Sequence, residues 1–175
     1  MGNQSHTVAR LFFCEVQIMF DTGLNWFLET NPAIAALLNP GGAASSPCVN
    51  KRADKTSGIF PVAAIDKPTL PYIVTLQISS TPNNTMAGVN RYQSTRFRFV
   101  CYGSNFTNAK YLAWTLKQQL QGYKGLWYSL KDNSPQVEIQ GAWLASWGDN
   151  AEPEAHNTIV ASVIDFNLNF VDMQD

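Results

Sequence analysis

Few side chains in this sequence have the types and spacing that chemistry requires. It holds 2 histidines and 3 cysteines. His156 lies near Glu152 and Glu154, a trio of metal-ligand types. All three fall in one polar stretch, and ligands on a single solvated loop lack the rigid frame that a metal site needs. A solvated acidic turn over 149–154 is the expectation. Cys14, Cys48 and Cys101 are odd in number and form no CxxC pair. They read as free thiols, mostly buried, in a reducing compartment. Cys101 alternates with Phe97 and Phe99, which makes it an inert core thiol rather than a nucleophile partnered by His156. The phosphate-cradling GxxxxGK[ST] loop, the HExxH zinc helix and the GxSxG elbow are all absent from the sequence. No catalytic residue, metal ligand or cofactor site is therefore assigned, and the chain is expected not to be an enzyme.

The remaining candidates act by contact. Arg96 and Arg98 share one face of a strand, with Arg91 nearby. A basic strand face can touch a nucleic-acid backbone, or it can pair with carboxylates of the same chain or of another copy. Pairing is favoured, because acidic residues are concentrated downstream. Tyr111 and Trp114 form a second stripe on a helix whose first stripe already supplies a core face. Aromatic residues left over in this way read as interface anchors. Lys51 and Arg52, in a long loop over 41–57, and Asp149, Glu152 and Glu154 complete the set of candidate contact residues.

Charge is distributed unevenly. The net charge is −1, which argues against a free-standing nucleic-acid binder. All 12 basic residues lie at or before Lys131, while eight of the 13 acidic residues follow it. Unlike-charged parts can neutralise each other within one molecule, or they can pair head to tail between copies, and such heterologous contacts close into rings where the rotation permits. Charged residues make up only 14% of the chain, below the usual quarter or so, which suits a subunit that buries surface against neighbours. Apolar runs such as Leu11 to Cys14 are too short to span a bilayer. No secretory signal is expected, since Glu15 interrupts the first apolar stretch. His6 stands where a myristoylation motif needs Ser or Thr.

The elements that must position these residues read as follows. Residues 1–18 have weak periodicity and read as an extension, with one domain over 19–175. Asp21 caps a helix presenting Leu24, Phe27 and Leu28. Asn31-Pro32 starts a second, presenting Ile34, Leu37 and Leu38. A short extended segment follows at 59–64. Strands are predicted at 72–80 and 91–102. The clearest helix spans 105–121, with Phe106, Ala109, Leu112, Ala113, Leu116 and Leu120 on its apolar stripe. Three more strands are predicted at 126–130, 137–147 and 159–170. The second of these carries Ile139, Trp143 and Trp147, with a bulge at Gly141. In the third, Ile164, Phe166, Leu168 and Phe170 alternate with polar residues. Runs of adjacent strands with a few helices predict an α+β fold: a single antiparallel sheet with helices packed on one face.

The order of these pieces resembles the tail-completion, or tail-terminator, proteins of long-tailed bacteriophages. Gly58-Ile59-Phe60-Pro61, Leu70-Pro71-Tyr72-Ile73-Val74 and Gln77-Ile78-Ser79-Ser80-Thr81-Pro82 look like that family's central signature. Asn31-Pro32-Ala33-Ile34-Ala35-Ala36-Leu37 matches its short leading helix. Arg96-Phe97-Arg98-Phe99-Val100-Cys101-Tyr102 matches its arginine-started strand, and Asp165-Phe166-Asn167-Leu168-Asn169-Phe170 its closing strand. The similarity covers about residues 20–170; residues 1–18 have no counterpart and the loop 41–57 is longer than the family pattern. The resemblance implies a virion structural protein assembled in the bacterial host cytoplasm. It would form a ring-forming subunit, commonly a hexamer, at the head-proximal end of the tail. There it would stop polymerisation of the major tail tube protein and offer a joining surface to the head–tail connector, with DNA passing through the lumen unread. The loop 41–57 and the turn 149–154 would reach tube or connector, and Arg96, Arg98, Tyr111 and Trp114 would lie at subunit contacts. A head-closure or neck protein is the alternative within virion assembly. A small α+β ligand-binding domain or enzyme is the alternative outside it.

Overall fold

A computed structural model describes residues 22–38, 58–61, 70–85, 88–153 and 158–173. The proposed extension 1–18, the Asp21 cap, the whole loop 41–57 with Lys51 and Arg52, and Glu154 and His156 lie outside the described residues, as do Cys14 and Cys48. Helices α1 (22–30) and α2 (Pro32–Leu38) come first, then strands β1 (Ile59–Pro61), β2 (Tyr72–Thr85) and β3 (Gly88–Gly103). Helix α3 (Phe106–Leu120) is followed by β4 (Gly125–Tyr128), β5 (Pro135–Pro153) and β6 (Thr158–Asp172).

The six strands form one sheet in the order β1-β2-β3-β6-β5-β4. The expected single antiparallel sheet with helices packed on one face is overturned: the sheet is mixed, strand-dominated and curled into a half-barrel. Its parallel element is β1, which pairs Ile59 with Ile73 and Pro61 with Thr75. β2 therefore runs in the same direction as β1. The curl has a local cause. Register shifts fall at Gln77/Ser79 and Pro82/Asn84 in the β2–β3 pair, and at Ile139/Gly141 and Leu144/Ser146 in the β5–β6 pair. Each extra residue bends its strand and increases its twist.

Both central hairpins are longer than their sequences suggest. Thr81-Pro82-Asn83-Asn84 continues β2 instead of ending it, and 149–153 continues β5 instead of forming an acidic turn. Pro82 is compatible with pairing because β2 has no partner on its outer side there among the described residues.

The core lies between the sheet and the helices. Phe97, Phe99, Cys101, Ile164, Phe166, Leu168 and Phe170 are fully buried and meet Ala113, Leu112, Leu116 and Leu120 of α3 in one cluster. Leu24, Phe27 and Leu28 of α1 join it, with the Phe27 ring stacked 5.4 Å from that of Trp127. The helix starts follow their caps. Asn31 Oδ1 accepts from the Ala33 and Ile34 amides at 3.1 and 3.4 Å, and Asn105 Oδ1 from the Asn108 amide at 2.8 Å. At the junction of β3 and α3 a Cβ on Gly103 would lie 2.4 Å from the Ala109 amide nitrogen, so only glycine lets the helix start this close to the strand.

Two packing expectations are corrected. Phe106 is exposed, its ring beneath Lys110 Nζ at 4.8 Å rather than in the core. Trp143 is also exposed. Spacing alone would place it on the same face as Ile139 and Trp147, but the shift at Ile139/Gly141 turns it to the other face, and the shift at Leu144/Ser146 turns Trp147 back. Trp143 then lies over Gly141, where a Cβ would meet its ring at 2.3 Å.

Candidate functional site

Two unlike surfaces carry the residues that sequence reasoning selected. The first is the sheet face turned away from α3. Antiparallel register sets Arg98 opposite Asp165 and Arg96 opposite Asn167. The alternation that buries Phe97, Phe99 and Phe166 on one side puts these polar residues together on the other. Arg98 donates from Nε to Asp165 Oδ1 at 2.8 Å and from Nη2 to Oδ2 at 3.1 Å; Arg96 Nη2 donates to Oδ2 at 2.7 Å. The Ser146 hydroxyl adds a fourth bond to Oδ2 at 3.0 Å.

One carboxylate thus serves two guanidiniums. The Asp165 side chain is fully shielded, whereas those of Arg96 and Arg98 remain 40% and 44% exposed. Burial works to raise the Asp165 pKa, but the bonds from Arg98, Arg96 and Ser146 outweigh it and hold the carboxyl below its ordinary value. The same contact raises the already high pKa of Arg98. Counting charges, the cluster keeps one uncompensated positive charge, and both arginine side chains stay partly exposed. Pairing within the chain is therefore the first role of these arginines.

The second surface is the solvent side of α3. Leu112, Ala113, Leu116 and Leu120 satisfy the core, which leaves Tyr111 and Trp114 outside at 53% and 45% exposure. Their rings stack with centroids 5.9 Å apart and planes 17° apart. Beside them the helix is clipped to the sheet. Lys110 Nζ donates to Asp149 Oδ2 at 3.0 Å, and Lys117 Nζ lies 5.4 Å from the centre of the Trp147 ring. Trp147 Nε1 donates to Ser162 Oγ at 3.0 Å, which donates in turn to Asp149 Oδ1 at 2.9 Å. The Lys110 contact is the largest influence on Asp149 and lowers its pKa.

The candidates are therefore not one cluster. Arg96 and Arg98 share the outer sheet face, Tyr111 and Trp114 the helix face, and Asp149 belongs to the helix–sheet clip. Glu152 lies in β5, and its side chain is outside the described residues. Cys101 is fully buried, and burial raises its thiol pKa strongly, so the protonated thiol persists at neutral pH. No group of three or more His, Cys, Asp or Glu that could hold a metal occurs among the described residues. No helix among them is long and apolar enough to cross a membrane.

Sequence reasoning missed Asp165 and Ser146 as partners of the arginines, and Lys110 as the partner of Asp149. The signal for Asp165 was present, since it is the only acidic residue in the predicted strand 159–170. Finding it required the β3–β6 register. In comparisons with known proteins, the sequence matches no family model and no curated relative.

Proposed function

We propose that this chain is a virion structural subunit that forms a hexameric ring at the head-proximal end of a phage tail. The ring ends polymerisation of the tail tube protein and presents the surface to which the head connector joins. The motif order from Asn31-Pro32 to Asp165-Phe166 supports the reading. The observation that carries it is the pairing of unlike exposed surfaces on one subunit: a stacked Tyr111–Trp114 pair on the helix side, and a half-exposed arginine pair with surplus positive charge on the sheet side. A ring with head-to-tail contacts needs two different patches on each copy, whereas a symmetric dimer needs only one. Exposed aromatic residues and arginine are the types that dominate binding energy at protein interfaces.

In the test, purified full-length chain is mixed with tail tubes lacking their terminal ring and viewed by negative-stain microscopy. The reading predicts a collar on one end of each tube and none along its length. Tubes left bare beside a monodisperse monomer contradict it. A collar bound only to the head connector assigns the chain to the neck instead.

A further inference from the structure

We infer that neighbouring copies meet with α3 of one on the outer sheet face of the next, the Tyr111 and Trp114 rings lying against the guanidiniums of Arg96 and Arg98; the inference rests on the ring reading and names the contact within it. Register defines the seat. Leu76, Arg98, Asp165 and Ser146 form one row across β2, β3, β6 and β5, and Ser79, Arg96, Asn167 and Trp143 form the next. Asp165 is the only carboxylate in the two rows, and its side chain is wholly shielded. Exposed Trp143 stands in the row of Arg96, two strand spacings or roughly 10 Å away. Its ring lies down over Gly141, so it enters a contact already oriented.

The bonding of the two arginines decides which chemistry fits there. A guanidinium receives a carboxylate in its own plane, with two N–H groups pointing at two oxygens. On Arg98 the edge through Nε and Nη2 already donates to Asp165. On Arg96, Nη2 donates to Asp165, and Nε is buried without a hydrogen-bond partner. The edge through Nε is therefore closed on both side chains. An aromatic ring approaches differently. It stacks on the flat face of a guanidinium and leaves the in-plane bonds intact. Those bonds also hold the guanidiniums in place, so little further ordering is needed when a ring arrives. The surplus positive charge of the cluster attracts the electron-rich face of that ring.

Helix α3 supplies the matching rings. Phe106, Tyr111 and Trp114 are exposed, and the last two are already stacked on each other. The helix has no acidic residue. Its cations are engaged within their own subunit: Lys110 Nζ bonds Asp149, and Lys117 Nζ lies over the Trp147 ring. What α3 offers a neighbour is therefore aromatic faces rather than carboxylates. The helix packs on the core side of the sheet and the arginines stand on the other, so rings and guanidiniums cannot meet within one subunit. A second copy brings them together. Repeated from copy to copy, the contact is head to tail, the kind that closes into a ring.

Photo-crosslinking tests the contact on full-length chain bound to tail tubes that lack their terminal ring. Gln118→p-benzoylphenylalanine places the probe one helical turn beyond Trp114, on the same exposed side of α3. The link is expected to join two copies of the chain, with its second site within 94–100 or 140–146. Trp143→Ala should raise the amount of chain needed to cap half the tubes at least about tenfold, with urea unfolding of the subunit little changed. That variant decides alone if the probe itself prevents rings. Rings that link to another segment, to the tube protein or not at all, or that form normally with Trp143→Ala, overturn the contact and leave the ring reading intact. If the unaltered chain forms no ring on tail tubes, both are overturned.

Discussion

Asp165 shows how a single group fixes the behaviour of a surface. Its carboxylate is shielded from water, yet both guanidiniums that hold it reach solvent. Removing Arg96 and Arg98 leaves the Asp165 charge with only the Ser146 hydroxyl as a partner, whereas changing Asp165 to Asn leaves two cations whose side chains are partly exposed. The Arg96→Ala/Arg98→Ala double variant should lose about 3 kcal/mol of stability. Asp165→Asn should lose less, about 1–2 kcal/mol; urea unfolding at neutral pH measures both. The pH dependence follows from the lowered pKa. The folded protein binds this proton less readily than the unfolded chain, so the stabilisation is complete above the ordinary carboxylate range. It is lost as pH falls through that range and toward the lower folded value. Acid titration of stability should therefore be less steep in Asp165→Asn than in the parent. Gly103 is a second decisive position. Gly103→Ala would drive a methyl group into the Ala109 backbone, at an expected cost of about 2 kcal/mol by thermal or urea unfolding.

Among the elements, those specified by local chemistry were legible in the sequence. The Asn31 cap, the Leu112–Leu116–Leu120 stripe and the alternation from Ile164 to Phe170 all correspond to the structure, and of Ser104 and Asn105, either of which could cap the long helix, the structure uses Asn105. Elements whose limits depend on a neighbour were not. Nothing local to Pro82 or Asp149 says that a strand continues through it; each is extended because an antiparallel partner is present to pair with it. The parallel placement of β1 likewise depends on its pairing with β2. A bulge at Gly141 is expected from the sequence, and the shift at Ile139/Gly141 places Trp143 on the outer face; the second shift, at Leu144/Ser146, which returns Trp147 to the inner face, has no local signal. Of the candidate contact residues, Arg96 and Arg98 were legible as a pair, but their common partner was legible only through register. Helix α3 yields a prediction about function. Trp114→Ala removes an exposed ring from a helix whose core face is complete, so subunit stability should change by less than about 1 kcal/mol. If the Tyr111–Trp114 surface is a contact, the same variant should fail to cap tail tubes when added in stoichiometric amount. Normal capping would remove that surface from the account.

For the whole molecule, the arrangement of charge matters more than its total. A net charge of −1 conceals a sheet whose first hairpin is basic and whose second is acidic. Folding sets these hairpins side by side through the β3–β6 pair, so the unevenness of the sequence becomes a polarity across the sheet. The proposed role as a ring subunit on a tail tube draws on this polarity together with the aromatic helix face. The most direct measurement is tail length in a phage from which the gene for this chain has been deleted. The account predicts tubes that continue past their normal end, with lengths spread widely and heads unattached. Tubes of normal, uniform length that carry a terminal ring would contradict it.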